Sequence, residues 1–360
     1  MNETRGFRGK KSYLLLLIVV FALIAFLIIL TVCIGQVKIP FVESYKILIH
    51  NLTGGRILSG EELSAGAFHD IIMEIRAPRI LLAVIVGAGL AIAGNVMQAS
   101  VQNPLADPYI LGTSSGASLG ATAAIMLGFG GVRGFGWLSM LGIPLCAFIG
   151  ALLASMLVLT IANSGGKAST TKLVLSGTVV NMICGTATSL ITYLFPNSEG
   201  MRAASFWAMG SLTMARWSNL PLIYILVILT IIIVFSQSRI MNIMLVGEEA
   251  AMTLGININK YRTFFMILSS FLTGIVVSSC GIIGFVGLII PHIARAVVGA
   301  NHKRLIPFST ALGAVFLLVV DTVARTIRYG SEVPIGLITS IIGAPMFMYM
   351  IISKGNSFGG

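Results

Sequence analysis

Ten predominantly apolar runs constrain this chain more than any other feature, covering residues 12–32, 78–99, 110–128, 138–161, 172–195, 219–236, 263–280, 282–299, 305–324 and 333–353. At 1.5 Å rise per residue, a helix of about 20 residues matches the ~30 Å hydrocarbon core of a bilayer, so each run predicts a spanning helix. Of the 360 residues, 56% are hydrophobic and only 10% charged, whereas a soluble domain carries about 25% charged residues. The expectation is an all-α, polytopic membrane protein with about ten transmembrane helices, residues 1–360 forming a single transmembrane domain.

The most informative stretch runs from Arg76 to Gly120, RAPRILLAVIVGAGLAIAGNVMQASVQNPLADPYILGTSSGASLG. Pro78 suits the first turn of a helix, where its missing N–H has no intrahelical partner to lose. Gly87, Gly89, Ala91, Ala93 and Gly94 place small side chains where helix backbones approach closely in lipid. Asn103, Pro104, Asp107 and Pro108 are turn formers that argue against one helix from Pro78 to Leu127. Gly112, Gly116 and Gly120 then repeat at four-residue spacing, a second packing face.

Glycines of this kind occur in any polytopic membrane protein, but the ordered string is specific. It resembles the FecCD-type permeases, membrane subunits of ABC importers for iron-siderophores, haem and cobalamin. Their R-x-P-R appears at Arg76–Arg79, the Gly/Ala-rich helix at Gly87–Gln98, N-P-L-A-x-P at Asn103–Pro108 and G-x-x-x-G-A at Gly112–Ala117. GIIGFVGLIIPHIAR, from Gly281 to Arg295, resembles another stretch of that family. The resemblance covers Arg76 to Met350 and implies a type II ABC importer permease-like fold. It further implies a translocation pathway between two copies of the chain, or the chain and a paralogue, with two separate ATPase subunits and an extracytoplasmic substrate-binding protein as partners.

Charge distribution gives an orientation. Arg5, Arg8, Lys10 and Lys11 precede the first run, which is too long for a signal-peptide core and lacks its small-residue cleavage site. Ten spans then put both termini in the cytoplasm of a cell-membrane protein. Under this scheme seven of nine lysines fall inside and eight of fourteen arginines outside. The lysines follow the positive-inside rule, whereas arginine's planar fork suits carboxylate partners outside. The net charge of +11 therefore reads as loop bias rather than a nucleic-acid footprint. Residues 36–75 form an external loop with a short helix before Arg76, and Gly200–Trp217 is an interfacial or re-entrant helix.

Three sets of residues are candidates for function. In the inside loop 238–262, Gly247, Glu248, Glu249, Ala250, Ala251, Leu254 and Gly255 read as a short helix begun by acids and stopped by glycine. By resemblance this is the coupling helix that seats in an ATPase subunit. Arg76 and Arg79, three apart at a helix start, and Arg325 have the snorkelling arginine as their ordinary reading. By resemblance they match positions that pair with acidic side chains of the binding protein. The loop holding Ser164, Gly165, Gly166, Ser169 and Thr170 lies where the family's cytoplasmic gate stands.

Enzyme chemistry has little support. Gly165-Gly166-Lys167 lacks the following Ser/Thr and the preceding glycine of a phosphate-binding loop, so the chain is expected to have no nucleotide site of its own, and the resemblance implies that ATP hydrolysis belongs to a separate chain. Cys33, Cys146, Cys184 and Cys280 stand singly in apolar runs, which suggests neither disulfides nor a metal site. His292 beside Pro291 reads as a structural hydrogen-bonding group rather than a haem ligand, and no cofactor is expected. The alternative is an ion-gradient-driven secondary transporter, for which Asp321 is the main intramembrane candidate.

Overall fold

The structure, a computed structural model, describes residues 9–57, 60–128, 142–164, 169–246, 251, 253–328 and 330–354. Numbering only helices of eight or more residues, the order is α1 (Lys10–Cys33), α2 (Phe41–Thr53), α3 (Ala77–Val101), α4 (Thr113–Met126), α5 (Gly142–Asn163), α6 (Thr170–Leu194) and α7 (Ser198–Ala208). There follow α8 (Leu220–Ser236), α9 (Ser238–Val246), α10 (Ile258–Cys280), α11 (Val286–Val298), α12 (His302–Thr326) and α13 (Ile335–Lys354). Helix starts are fixed by side-chain caps where the sequence offers them. Ser169, Asn197, Asn257 and Asn301 each accept a backbone N–H from the first turn that follows.

All ten expected segments are helical among the described residues, though not all equally long. Seven are long and apolar enough to cross a membrane, and α8 with α9 makes an eighth, bent by 53°. The other two, α4 and α11, have 14 and 13 residues, about 20 Å each, and fall short of the ~30 Å core. They are shorter, partial spans, preceded by the linkers 102–112 and 281–285 respectively. The stretch 36–76 holds α2, two short turns and a π-helical turn, Ile71–Arg76, that leads into α3.

Helix α3 is the axis of the bundle. Its most apolar window is 89% buried against 22% for α1 and for α6, so α3 is enclosed by protein while the other two present side chains to lipid or to a partner. It packs against α1, α8, α10, α11 and α12, while α4, α5 and α6 form a second group joined to it through α10. One end of the bundle carries Lys10, Val101, Ile258 and His302, tied by Tyr13 Oη donating to the Arg304 carbonyl. The other carries Cys33, Arg76, Cys280 and Thr326.

The small residues work as the sequence suggests. A Cβ added at Gly94 would lie 1.7 Å from the Gly287 carbonyl oxygen, one at Gly87 2.2 Å from that of Gly313, and one at Gly116 2.3 Å from that of Gly150. The α3–α11, α3–α12 and α4–α5 pairs are thus backbone-to-backbone contacts that only glycine permits.

Candidate functional site

At the Lys10 end, side chains on four elements fasten the last turns of α3. Gln98 Nε2 donates to the Leu288 carbonyl (3.2 Å) and its Oε1 accepts from Arg295 Nη2 (3.2 Å), joining α3 to α11. Arg262 Nε donates to the Ser100 carbonyl (3.0 Å) from α10, and Thr170 Oγ1 to the Val101 carbonyl (3.3 Å) from α6. Gln102, left-handed at φ 56°, reaches the Met244 carbonyl in α9.

Helix α9 opens the segment expected to couple to an ATPase, and it is bound to α12. Asn242 Oδ1 accepts the His302 backbone N–H (2.8 Å) and faces His302 Nδ1 (3.0 Å), while Asn242 Nδ2 donates to Asn301 Oδ1 (3.1 Å). Of the residues expected to form the coupling helix, Ala251 is buried, Leu254 is 64% exposed and Gly255 closes the turn at φ 73°. Gly247, Glu248, Glu249 and Ala250 lie outside the described residues.

The expected gate sits at the same end. Ser164 follows α5 and its carbonyl accepts from Lys172 Nζ (3.4 Å); Ser169 caps α6; Thr170 holds α3 as above. Gly165 and Gly166 lie outside the described residues. Asp107, in the loop between α3 and α4, accepts the Tyr109 N–H (2.8 Å) through Oδ1 and starts the turn Pro108–Leu111. Burial pushes its carboxyl up to about 6, with the Tyr109 N–H pulling the other way.

Between the two ends, the partial helices meet. Tyr109 Oη donates to the Ile283 carbonyl (3.0 Å), joining the linker before α4 to the linker before α11. Phe285, at φ 67°, turns that second linker into α11 and packs against Gly343 of α13. Beside this junction a cleft of about 410 Å³ is lined by Ser114, Ser115 and Ser118 of α4 with Asn181 and Thr188 of α6. Ser115 Oγ donates to Asn181 Oδ1 at 2.6 Å. Sequence reading missed this cleft, because Ser and Thr in apolar helices ordinarily bond their own backbone, as Thr188 does with the Cys184 carbonyl.

The three arginines expected to face a partner lie at the Cys33 end, but beneath the surface, with exposures of 4% for Arg76, 3% for Arg79 and 4% for Arg325. Arg76 donates to the Val32 carbonyl (2.7 Å) and the Val37 carbonyl, and Arg325 to those of Ile34 (3.1 Å) and Thr31 (3.4 Å). These two therefore bind the carbonyl-rich C-terminus of α1, where positive charge is favoured. Arg79 donates Nε to Asp321 Oδ1 (2.8 Å) and Nη1 to Glu332 Oε2 (2.6 Å), and Arg325 Nε lies 3.0 Å from Asp321 Oδ2. Asp321, the residue a gradient-driven carrier would need free, is thus neutralised by two arginines.

Comparison with known proteins agrees with this architecture. The family model for the FecCD transport family matches residues 23–353. The Yersinia pestis protein called hemin transport system permease protein HmuU is 38% identical over 288 residues, 80% of this chain and 85% of that protein. The Halobacterium salinarum protein called cobalamin import system permease protein BtuC is 42% identical over 282 residues, 78% of this chain and 73% of its own length. A solved structure described as an inward-facing metal-chelate type ABC transporter superposes with a TM-score of 0.76 at 30% identity, covering 94% of this chain and 99% of that one.

Proposed function

This chain belongs to the FecCD transport family, and from that premise we propose how it works as the membrane permease of a binding-protein-dependent ABC importer. Its cargo is a metal chelate or corrinoid of the kind for which its relatives are named, haem or cobalamin, or a ferric siderophore. Two ATPase subunits drive it from the cytoplasmic side, which is the Lys10 end, and the binding protein docks at the Cys33 end. Both termini are then cytoplasmic, and the protein resides in the cell membrane.

The observation that carries the pathway is the cleft of Ser114, Ser115, Ser118, Asn181 and Thr188 beside the junction of two partial helices. Hydroxyls and an amide without buried charge suit passage of a large polar chelate, which must be touched but not held. Helix α6 borders this cleft and is the span least covered by its own chain together with α1, so a second copy or paralogue closes the pathway over it. At the Lys10 end, Ser164, Gly165, Gly166, Ser169 and Thr170 are the gate residues that the resemblance implies. The segment 238–262 is the lever, since Asn242 hands any displacement of α9 directly to α12 and Gln102 hands it to α3.

The test is reconstitution in vesicles. ATP-dependent uptake should require this chain, its ATPase subunits and its binding protein together. Uphill accumulation by this chain alone, abolished by collapsing an ion gradient and indifferent to ATP, would overturn the reading.

A further inference from the structure

The arginine cluster holds an asymmetry that its structural role leaves unexplained. Arg76 is engaged by carbonyls alone, and Arg325 by carbonyls and by Asp321, whose side chain is 1% exposed. Arg79 is equally buried, yet Glu332, one of its two partners, has a side chain 35% exposed. Arg79 Nη2 is buried without a hydrogen-bond partner among the described residues. Three arginines against Asp321 and Glu332 leave the cluster one positive charge in excess.

Glu332 is also reachable. With Arg328, Ser331, Trp207 and Met214, it lines a cavity of about 830 Å³ at the Cys33 end. A side chain entering that cavity meets Glu332 before Arg79, and a carboxylate could occupy both Nη1 and the idle Nη2 in the paired geometry arginine favours. Glu332 Oε2 engages only Nη1. A visiting carboxylate that also takes Nη2 makes a better match, and the exposed Arg328 on the same wall adds attraction for it.

We infer that Glu332 is a resident stand-in for an acidic side chain of the docking partner, holding Arg79 until the partner's carboxylate displaces it. This rests on reading the Cys33 end as the binding-protein face. Displacement releases only the Glu332 side chain, since the Val333 and Ile335 N–H groups stay bonded to the Ala324 and Gly210 carbonyls, and Arg79 keeps its bond to Asp321 throughout. Docking is thereby made reversible, because the resident carboxylate competes for the site whenever the partner lets go.

The experiment measures binding of the fluorescently labelled substrate-binding protein of the same importer to the complete permease–ATPase complex in lipid nanodiscs. Glu332→Gln keeps the side-chain shape and removes its charge, and should tighten docking about tenfold at low salt. Adding Arg79→Gln to that variant should erase the gain. Docking that stays unchanged or weakens in Glu332→Gln, while Arg328→Glu still weakens it, overturns the stand-in and leaves the docking face intact. Docking indifferent to both Glu332→Gln and Arg328→Glu overturns the docking face as well. Should Glu332→Gln fail to assemble, Glu332→Asp serves instead: one methylene shorter, it keeps the charge but loses its reach to Arg79, and a smaller gain is expected. No gain from Glu332→Asp overturns the stand-in.

Discussion

Replacing Gly94 by alanine sets two opposing effects against each other. In a helix interior, Gly→Ala is intrinsically favourable by about 1 kcal/mol, because glycine loses more backbone freedom on ordering. At Gly94, however, the added Cβ would lie 1.7 Å from the carbonyl oxygen, 2.5 Å from the carbonyl carbon and 2.7 Å from the Cα of Gly287. These are backbone atoms of α11, so no side chain can swing aside. About 1.3 Å must open between α3 and α11 before the oxygen contact reaches even 3.0 Å, and a gap of about 1 Å forfeits up to half of each dispersion contact across the interface. Overpacking of this kind costs about 3 kcal/mol, the upper end of its usual range. The crowding wins, and a net loss of about 2 kcal/mol is expected. Gly89→Ala, whose Cβ meets the Val276 Cγ2 methyl at 3.0 Å, should be intermediate, and Gly185→Ala, with nothing within 4 Å, should equal or exceed the parent chain. Thermal unfolding of the three variants in one detergent tests the order. Gly94→Ala melting as high as Gly185→Ala would refute the claim that α3 and α11 touch through backbone.

Asp321→Asn leaves Arg79 and Arg325 buried beside a neutral partner and should destabilise by about 3–5 kcal/mol, read as a lowered melting temperature; a change within error would remove the ion cluster from the fold's support. Asn242→Ala removes the contacts that join α9 to Asn301 and His302. In the reconstituted importer it should retain ATP hydrolysis while cutting uptake per ATP severalfold, and unchanged coupling would show that α9 does not transmit motion through α12. The carboxyl of Asp107, pushed up to about 6, binds its proton more tightly folded than unfolded. Its contribution is therefore present at low pH and lost as pH rises through the window from about 4 to about 6. The melting temperature of the parent chain, measured relative to Asp107→Asn, should fall across that window, and parallel curves would contradict the burial.

Apolar length and small-residue spacing are local properties, which is why the spans, the break at Asn103–Pro108 and the packing faces could be read from the chain. What a packing face meets is not local. Gly94 contacts Gly287 and Arg79 pairs with Asp321 across 242 positions, and nothing in either segment names its partner. The depth of the arginines was hidden for a related reason, since a snorkelling arginine and one bonded to the end of a neighbouring helix occupy the same kind of sequence. Phe285 gave no signal, because its left-handed φ is imposed on a residue type that disfavours it. Asn242 resembled any loop asparagine until α12 supplied His302.

What the sequence hid is also what joins the two ends of the molecule. Helix α3 has 25 residues, about 38 Å of continuous rod. Its first turn carries Arg79, whose partner Glu332 borders the cavity at one end, and its last turns carry Gln98 and Gln102, bonded to α11 and α9 at the other. Helix α12 repeats the arrangement with Asp321 near its far end and His302 at its start. The two helices are bonded to each other at the arginine end and both to α9 at the opposite one, with Gly87 and Gly313 in backbone contact between. Sliding one past the other would break the Arg79–Asp321 pair, so the pair moves as a unit. Helix α11 goes with them, held to α3 by the Gly94–Gly287 contact and by Gln98, whereas α4 and α5 pack chiefly on each other, on α6 and on α10 and lie outside that unit.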